Sequence, residues 1–115
     1  AIACNNLASL YALQNLYEKA EPLYIEAKTI YEEKLGKEHI NYASSCNNLA
    51  GLYRKKGAYD KAESLYIEAK NIFEKKLGKT HPNYAKSCNN LGILYMEQGL
   101  YEKAEILYVE AKNIR

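Results

Sequence analysis

The sequence has no tryptophan, only two prolines and only six glycines among its 115 residues. With so few breakers, long stretches remain in which helices can run uninterrupted. No run of 18 or more apolar residues occurs, which excludes a membrane-spanning helix. The opening Ala-Ile-Ala-Cys-Asn-Asn lacks the basic start and apolar core of a signal peptide. There is no Gly-rich phosphate loop, no HExxH and no CxxC, so no catalytic residue, metal site or cofactor is expected. A formal net charge of +2 is too small to argue for nucleic acid. Three cysteines are present, Cys4, Cys46 and Cys88, equally spaced along the chain. Helices one repeat apart sit roughly 10 Å from each other, whereas a disulfide needs Cα atoms closer than about 7 Å. An odd number of such thiols points to a reducing compartment, and a cytoplasmic location is expected. The thiols read as small apolar fillers.

What is present is apolar material, 48% of residues, enough for a packed interior and too much for disorder. It is organised by repetition. Shifted by 42 residues the chain matches itself, with 28 of 42 positions identical between 4–45 and 46–87. Cys-Asn-Asn-Leu recurs at 4, 46 and 88, Tyr-x-Lys-Ala-Glu at 17, 59 and 101, and Glu-Ala-Lys at 26, 68 and 110. One domain of three repeats is expected, at about 1–39, 40–81 and 82–115.

Each unit reads as two helices. Cys46, Leu49, Leu52 and Tyr53 share one side at spacings of three and four. Gly57 and Gly99 follow the first helices where a left-handed closing residue is wanted. The second helix of the middle unit carries Ala62, Leu65, Tyr66, Ala69, Ile72, Phe73 and Leu77 and stops at Gly78, again a candidate left-handed cap. Pro82 suits the first turn of the next helix, and His39 and His81 occupy equivalent turns, where they are expected to help start helices. No segment alternates like a half-buried strand, so the fold class is all-α. A single hairpin cannot bury its apolar stripe, so the units must stack. Alanines at 20, 62 and 104, and at 27, 69 and 111, permit close approach, and most of the 12 tyrosines recur as packing residues.

These residues resemble the tetratricopeptide repeat. The third unit shows Leu91-Gly92, Tyr95, Ala104, Tyr108 and Ala111, with Ala8 or Ala50 replacing the glycine in the others. Cysteine stands where that pattern opens with Trp, and Glu32 or Glu74 where it closes with Pro. The period of 42, against about 34 in that family, accommodates Leu-Gly-Lys-x-His-x-Asn-Tyr-Ala. In this the chain is similar to the repeats of kinesin light chains and their bacterial relatives. The resemblance implies tandem helix-turn-helix units in a right-handed α-solenoid, whose first helices line a concave, peptide-binding face.

A wheel at about 100° per residue puts Cys4, Leu7 and Tyr11 on the packed side of the first helix. The opposite side of the three first helices then supplies the candidate groove: Asn5, Asn6, Asn47, Asn48, Arg54, Lys55, Lys86, Asn89, Asn90, Ile93 and Met96. The same side includes Ala12, Leu13, Gly51 and Glu97. Asparagine is a mediocre helix former, so Asn-Asn in mid-helix needs a reason. An amide both donates and accepts, so a ladder of them suits an extended peptide backbone; alternatively, the amides bond across neighbouring repeats and set their spacing.

Charge is uneven: residues 4–45 sum to −2, 46–87 to +5 and 88–115 to −1. A basic centre flanked by Leu13, Ile93 and Met96 would suit a peptide that combines acidic and bulky apolar residues; the same lysines also read as a solvated helix end. The primary expectation is a non-enzymatic scaffold for a protein or peptide partner. Self-assembly is the alternative: Ala1 aligns with Ala43 and Arg115 with Phe73, both inside helices, so uncapped ends could stack chain on chain. RNA would need a basic surface recurring in every unit, which the outer units lack.

Overall fold

A computed structural model describes residues 2–112; Ala1 and residues 113–115, the outer limits of the expected first and third repeats, lie outside the described residues. Six α-helices follow one another: α1 (Ile2–Leu13), α2 (Tyr17–Leu35), α3 (Ile40–Lys56), α4 (Tyr59–Leu77), α5 (Pro82–Glu97) and α6 (Tyr101–Lys112). The described residues contain no strand. Contacts run between consecutive helices, with a smaller one between α1 and α3, as in a solenoid built of hairpins.

The helix starts and stops follow local chemistry. His39 and His81 are N-caps in extended backbone, and each Nδ1 accepts from the N–H two residues on, Asn41 or Asn83, at 3.0 Å. That satisfies one of the donors every helix start leaves free. The first helix of each unit ends in a left-handed residue: Gly57 at φ 83°, Gly99 at φ 79° and, in the first unit, Asn15 at φ 62°. Asparagine is the side chain that best tolerates this region after glycine. In all three units an N–H then reaches back five residues, Leu16 to Tyr11, Ala58 to Tyr53 and Leu100 to Tyr95, each at 2.8 Å. Gly78 behaves differently from the expected left-handed cap. It sits at φ 87°, ψ 164°, an extended positive-φ conformation. Gly36 repeats it at φ 89°, ψ 163°. Each glycine carbonyl then accepts the N–H of the following His N-cap, His39 or His81, at 3.3 Å, and the conformation is essentially confined to glycine.

The core is built of alanine and tyrosine. Ala8, Ala20, Ala27, Ala43, Ala50, Ala62 and Ala69 are wholly covered, and Tyr42 and Tyr84 are the bulkiest fully buried side chains. Buried phenols need partners. Tyr42 donates to Glu68 Oε2 at 2.8 Å within its unit, and Tyr84 to Glu110 in the next. Between units, Tyr53 donates to Glu21 Oε2 at 3.0 Å and Tyr95 to Glu63 Oε2 at 2.6 Å. Lys28 and Lys70 lie over the Tyr42 and Tyr84 rings of the following unit, 5.2 Å from each centroid. The same joint is therefore made twice with the same residue types. Cys46 and Cys88 are buried in it, and burial pushes the Cys46 thiol up to about 12. The first unit departs from the wheel: Leu7 is 42% exposed although Leu49 and Leu91 are 4%, because no helix packs on that side of α1 among the described residues. Ala12, placed on the open side by the wheel, is 7% exposed and covered.

Candidate functional site

The first helices α1, α3 and α5 lie along one side of the stack, and between them opens a cleft of about 330 Å³. Its floor is aromatic and comes from the second helices: Tyr24 of α2, Tyr66 and Phe73 of α4, with Leu52 of α3. Its walls are polar. From α3 come Ser44, Asn47, Asn48, Arg54 and Lys55; from α5 come Asn83, Lys86 and Asn90.

Six of the eleven residues singled out from sequence are thereby brought together: Asn47, Asn48, Arg54, Lys55, Lys86 and Asn90. The other five do not line this cleft. Asn5 and Asn6 belong to α1, Asn5 half-buried and Asn6 exposed. Asn89 is exposed beside Asn90. Ile93 is 37% exposed, and Met96, 50% exposed, borders a separate hollow against α6, where its sulfur receives the Tyr108 hydroxyl at 3.7 Å.

Gly51 makes room for the cleft. The equivalent residue is Ser9 in the first unit and Ile93 in the third. Ser9 spends its hydroxyl on Tyr24, 3.1 Å away. At Gly51 no side chain stands above Tyr66, whose hydroxyl would lie 3.6 Å from an added Cβ. Asn47 Oδ1, on the wall, is enclosed and has no hydrogen-bond partner, as is Asn5 Oδ1 one unit earlier. A pure inter-repeat ladder would have satisfied those oxygens, and an enclosed unpaired acceptor is costly.

The electrostatics differ from a simple basic centre. Arg54 Nη1 is 2.8 Å from Glu97 Oε2, joining α3 to α5 across the open side. Burial opposes the Arg54 charge, but the Tyr66 hydroxyl and the Glu97 carboxylate outweigh it and hold the guanidinium above its ordinary pKa. Burial in turn raises the Tyr66 phenol, opposed by Arg54. Lys55 and Lys86 are exposed and make no ion pair with another described residue. Sequence reasoning had Glu97 on this side without its partner, and had Tyr24, Tyr66 and Phe73 only as packing. Opposite charges at 54 and 97 on facing helices were the signal available for the first; nothing in the pattern separates a floor tyrosine from a core one.

Comparisons with known proteins agree with this architecture. The family model described as tetratricopeptide repeat matches residues 1–69 and 44–115. The solved structure of BtubC (BKLC) from P. vanneervenii is 30% identical with a TM-score of 0.90, covering 97% of this chain and 44% of that one. Nearly identical TPR-like repeats from Podosopora anserina, described as of a kinesin light chain, are similar in two structures. Identities are 26% and 25%, with TM-scores of 0.86, covering 95% of this chain and 51% and 52% of theirs. The chain thus spans about half the length of the solved chains it matches. No curated protein sequence matches it. Among the described residues no helix is long and apolar enough to cross a membrane.

Proposed function

Because the chain belongs to the tetratricopeptide-repeat family and is kinesin-light-chain-like, we propose that its first-helix face holds an extended segment of another protein. Repeats of this family generally mediate protein–protein interaction and are typically non-enzymatic scaffolds. The observation that carries the finer reading is the cleft itself, whose lining brings Asn47, Asn48 and Asn90 together with Lys55 and Lys86. A ligand-sized opening lined by side-chain amides suits a peptide backbone. The adjoining amides can donate to peptide carbonyls whatever the side chains.

Lys55 and Lys86 favour acidic residues in the bound segment. Leu13, Ile93 and Met96, exposed at 78%, 37% and 50%, favour bulky apolar ones nearby. Free thiols at Cys4, Cys46 and Cys88 support action in the reducing cytoplasm. A peptide-display screen of intracellular sequences, run beside an Arg54→Glu, Asn47→Ala, Asn89→Ala variant, tests the reading. Acidic-apolar peptides should be enriched by the native chain and lost from a variant that still melts cooperatively. An intact chain that enriches nothing would overturn it.

A second reading, association between copies, rests on one observation. Tyr11 and Glu105 are the repeat equivalents of the Tyr53–Glu21 and Tyr95–Glu63 pairs that join neighbouring units. Among the described residues neither has that counterpart, so α6 and α1 carry matching halves of the joint, which a second copy could complete. A sedimentation mass that rises with concentration would support it, and a constant single-chain mass would remove it.

A further inference from the structure

The repeat makes the groove-side rows easy to compare. Positions 12, 54 and 96 read Ala, Arg, Met, and positions 13, 55 and 97 read Leu, Lys, Glu. Only between α3 and α5 do a cation and an acid face each other, and there Arg54 Nη1 and Glu97 Oε2 meet at 2.8 Å. Between α1 and α3 the same two positions hold Ala12 and Lys55, which cannot pair. Arg54 lines the cleft, and Glu97, its side chain 38% exposed, stands outside that lining and meets Arg54 from the facing helix α5.

We infer that Glu97 is a built-in competitor for acidic ligands, occupying Arg54 with the carboxylate that a bound peptide would otherwise supply. The inference rests on the peptide-binding reading and adds the residue that sets its affinity. Of the three cations on the cleft, Arg54 alone is neutralised, while Lys55 and Lys86 remain to attract the ligand. A guanidinium can bind a carboxylate with two parallel N–H bonds, and here Arg54 donates one hydrogen bond to Glu97, from Nη1 to Oε2. An incoming acid must displace or share that contact, so a weakly acidic segment is rejected and a strongly acidic one retained.

The test uses the full chain and a dye-labelled ten-residue peptide of alternating leucine and aspartate, read by fluorescence anisotropy. Glu97→Gln should tighten binding by roughly two- to five-fold, the worth of a partly exposed ion pair. Arg54→Gln should weaken it, and in that background Glu97→Gln should give no more than a small gain. Glu38→Gln removes the same charge from the Lys75 pair, which does not line the cleft, and should leave affinity unchanged. Cooperative melting of each variant confirms its fold. Equal gains from Glu97→Gln and Glu38→Gln, or a full gain in the Arg54→Gln background, would show general charge repulsion and overturn the competitor role. Binding to the native chain that is unmoved by Glu97→Gln overturns it while leaving the groove reading intact; no binding by any variant overturns both.

Discussion

Gly51 and Gly92 stand in the middle of α3 and α5 with ordinary negative φ, so neither is needed for backbone conformation. An interior helical glycine costs about 0.8–1.0 kcal/mol relative to alanine, and on that ground alone both substitutions should stabilise. The surroundings separate them. A Cβ on Gly51 would lie 3.6 Å from the Tyr66 hydroxyl, ordinary contact. A Cβ on Gly92 would lie 3.1 and 3.2 Å from two carbons of the Tyr108 ring. That ring must retreat, although Ala50 and Tyr66, the repeat equivalents of Gly92 and Tyr108, are both buried, so an alanine can be accommodated at this position. Gly51→Ala should therefore gain about 0.5–1 kcal/mol and raise Tm by about 3–6 °C, and Gly92→Ala should gain about 0.5 kcal/mol less than that or lose stability. Thermal and urea unfolding followed by far-UV circular dichroism, with both variants beside the native chain, measure the difference. Equal stabilisation by the two, or destabilisation by Gly51→Ala, would mean that contact with the tyrosine does not separate the sites, because the propensity gain is common to both.

Three further outcomes follow from the packing. Cys46 and Cys88 are buried with thiols raised by burial, whereas Cys4 is half-buried; a thiol reagent at neutral pH should label Cys4 first and reach the others only at the rate of unfolding, and three equal rates would contradict the buried joint. The Lys56 ammonium, aided by the Tyr53 hydroxyl and opposed by partial burial, holds the Glu21 carboxyl below the ordinary carboxylate range. A depressed carboxyl adds stability above its unfolded pKa of about 4.3 and loses it as pH falls through the lower folded value. The native chain should exceed Glu21→Gln by about 0.5–1 kcal/mol at pH 7, and the gap should close below about pH 4.5; a constant gap down to pH 3 would contradict the pairing. His39→Ala should cost about 0.5–2 kcal/mol through the lost cap and His39→Asn much less, as urea midpoints would show; equal losses would mean that the ring, not its acceptor nitrogen, matters.

The architecture was legible because repetition turns one reading into three. Cys46, Leu49 and Tyr53 define a helix face, and their counterparts one repeat away repeat it, so the all-α solenoid needed no long-range information. Single-residue geometry was less visible. Gly78 signals a helix end in sequence, but its ψ of 164° belongs to a turn in which its carbonyl accepts the His81 N–H, and the repeat pattern does not carry that. Leu7 matches Leu49 by pattern and differs by exposure, because burial depends on what packs outside the repeat. The lining of the cleft was legible in part. The wheel put Asn47, Asn48 and Lys86 on one side, and the structure brings them to one cleft. It could not show that Arg54 is already bound, since that requires two helices to meet 43 residues apart. The helical period says which way a side chain faces and nothing about what faces it.

On the proposed function, a ligand lies on the side of the stack formed by α1, α3 and α5. The most direct measurement is amide chemical-shift mapping of the labelled chain titrated with a peptide enriched by the display screen. The largest changes should fall at Asn47, Asn48, Lys55, Lys86 and Asn90, including the side-chain NH₂ of Asn47. Changes centred instead on the exposed outer residues of the second helices, Ile25, Ile67 and Val109, with the cleft silent, would contradict it.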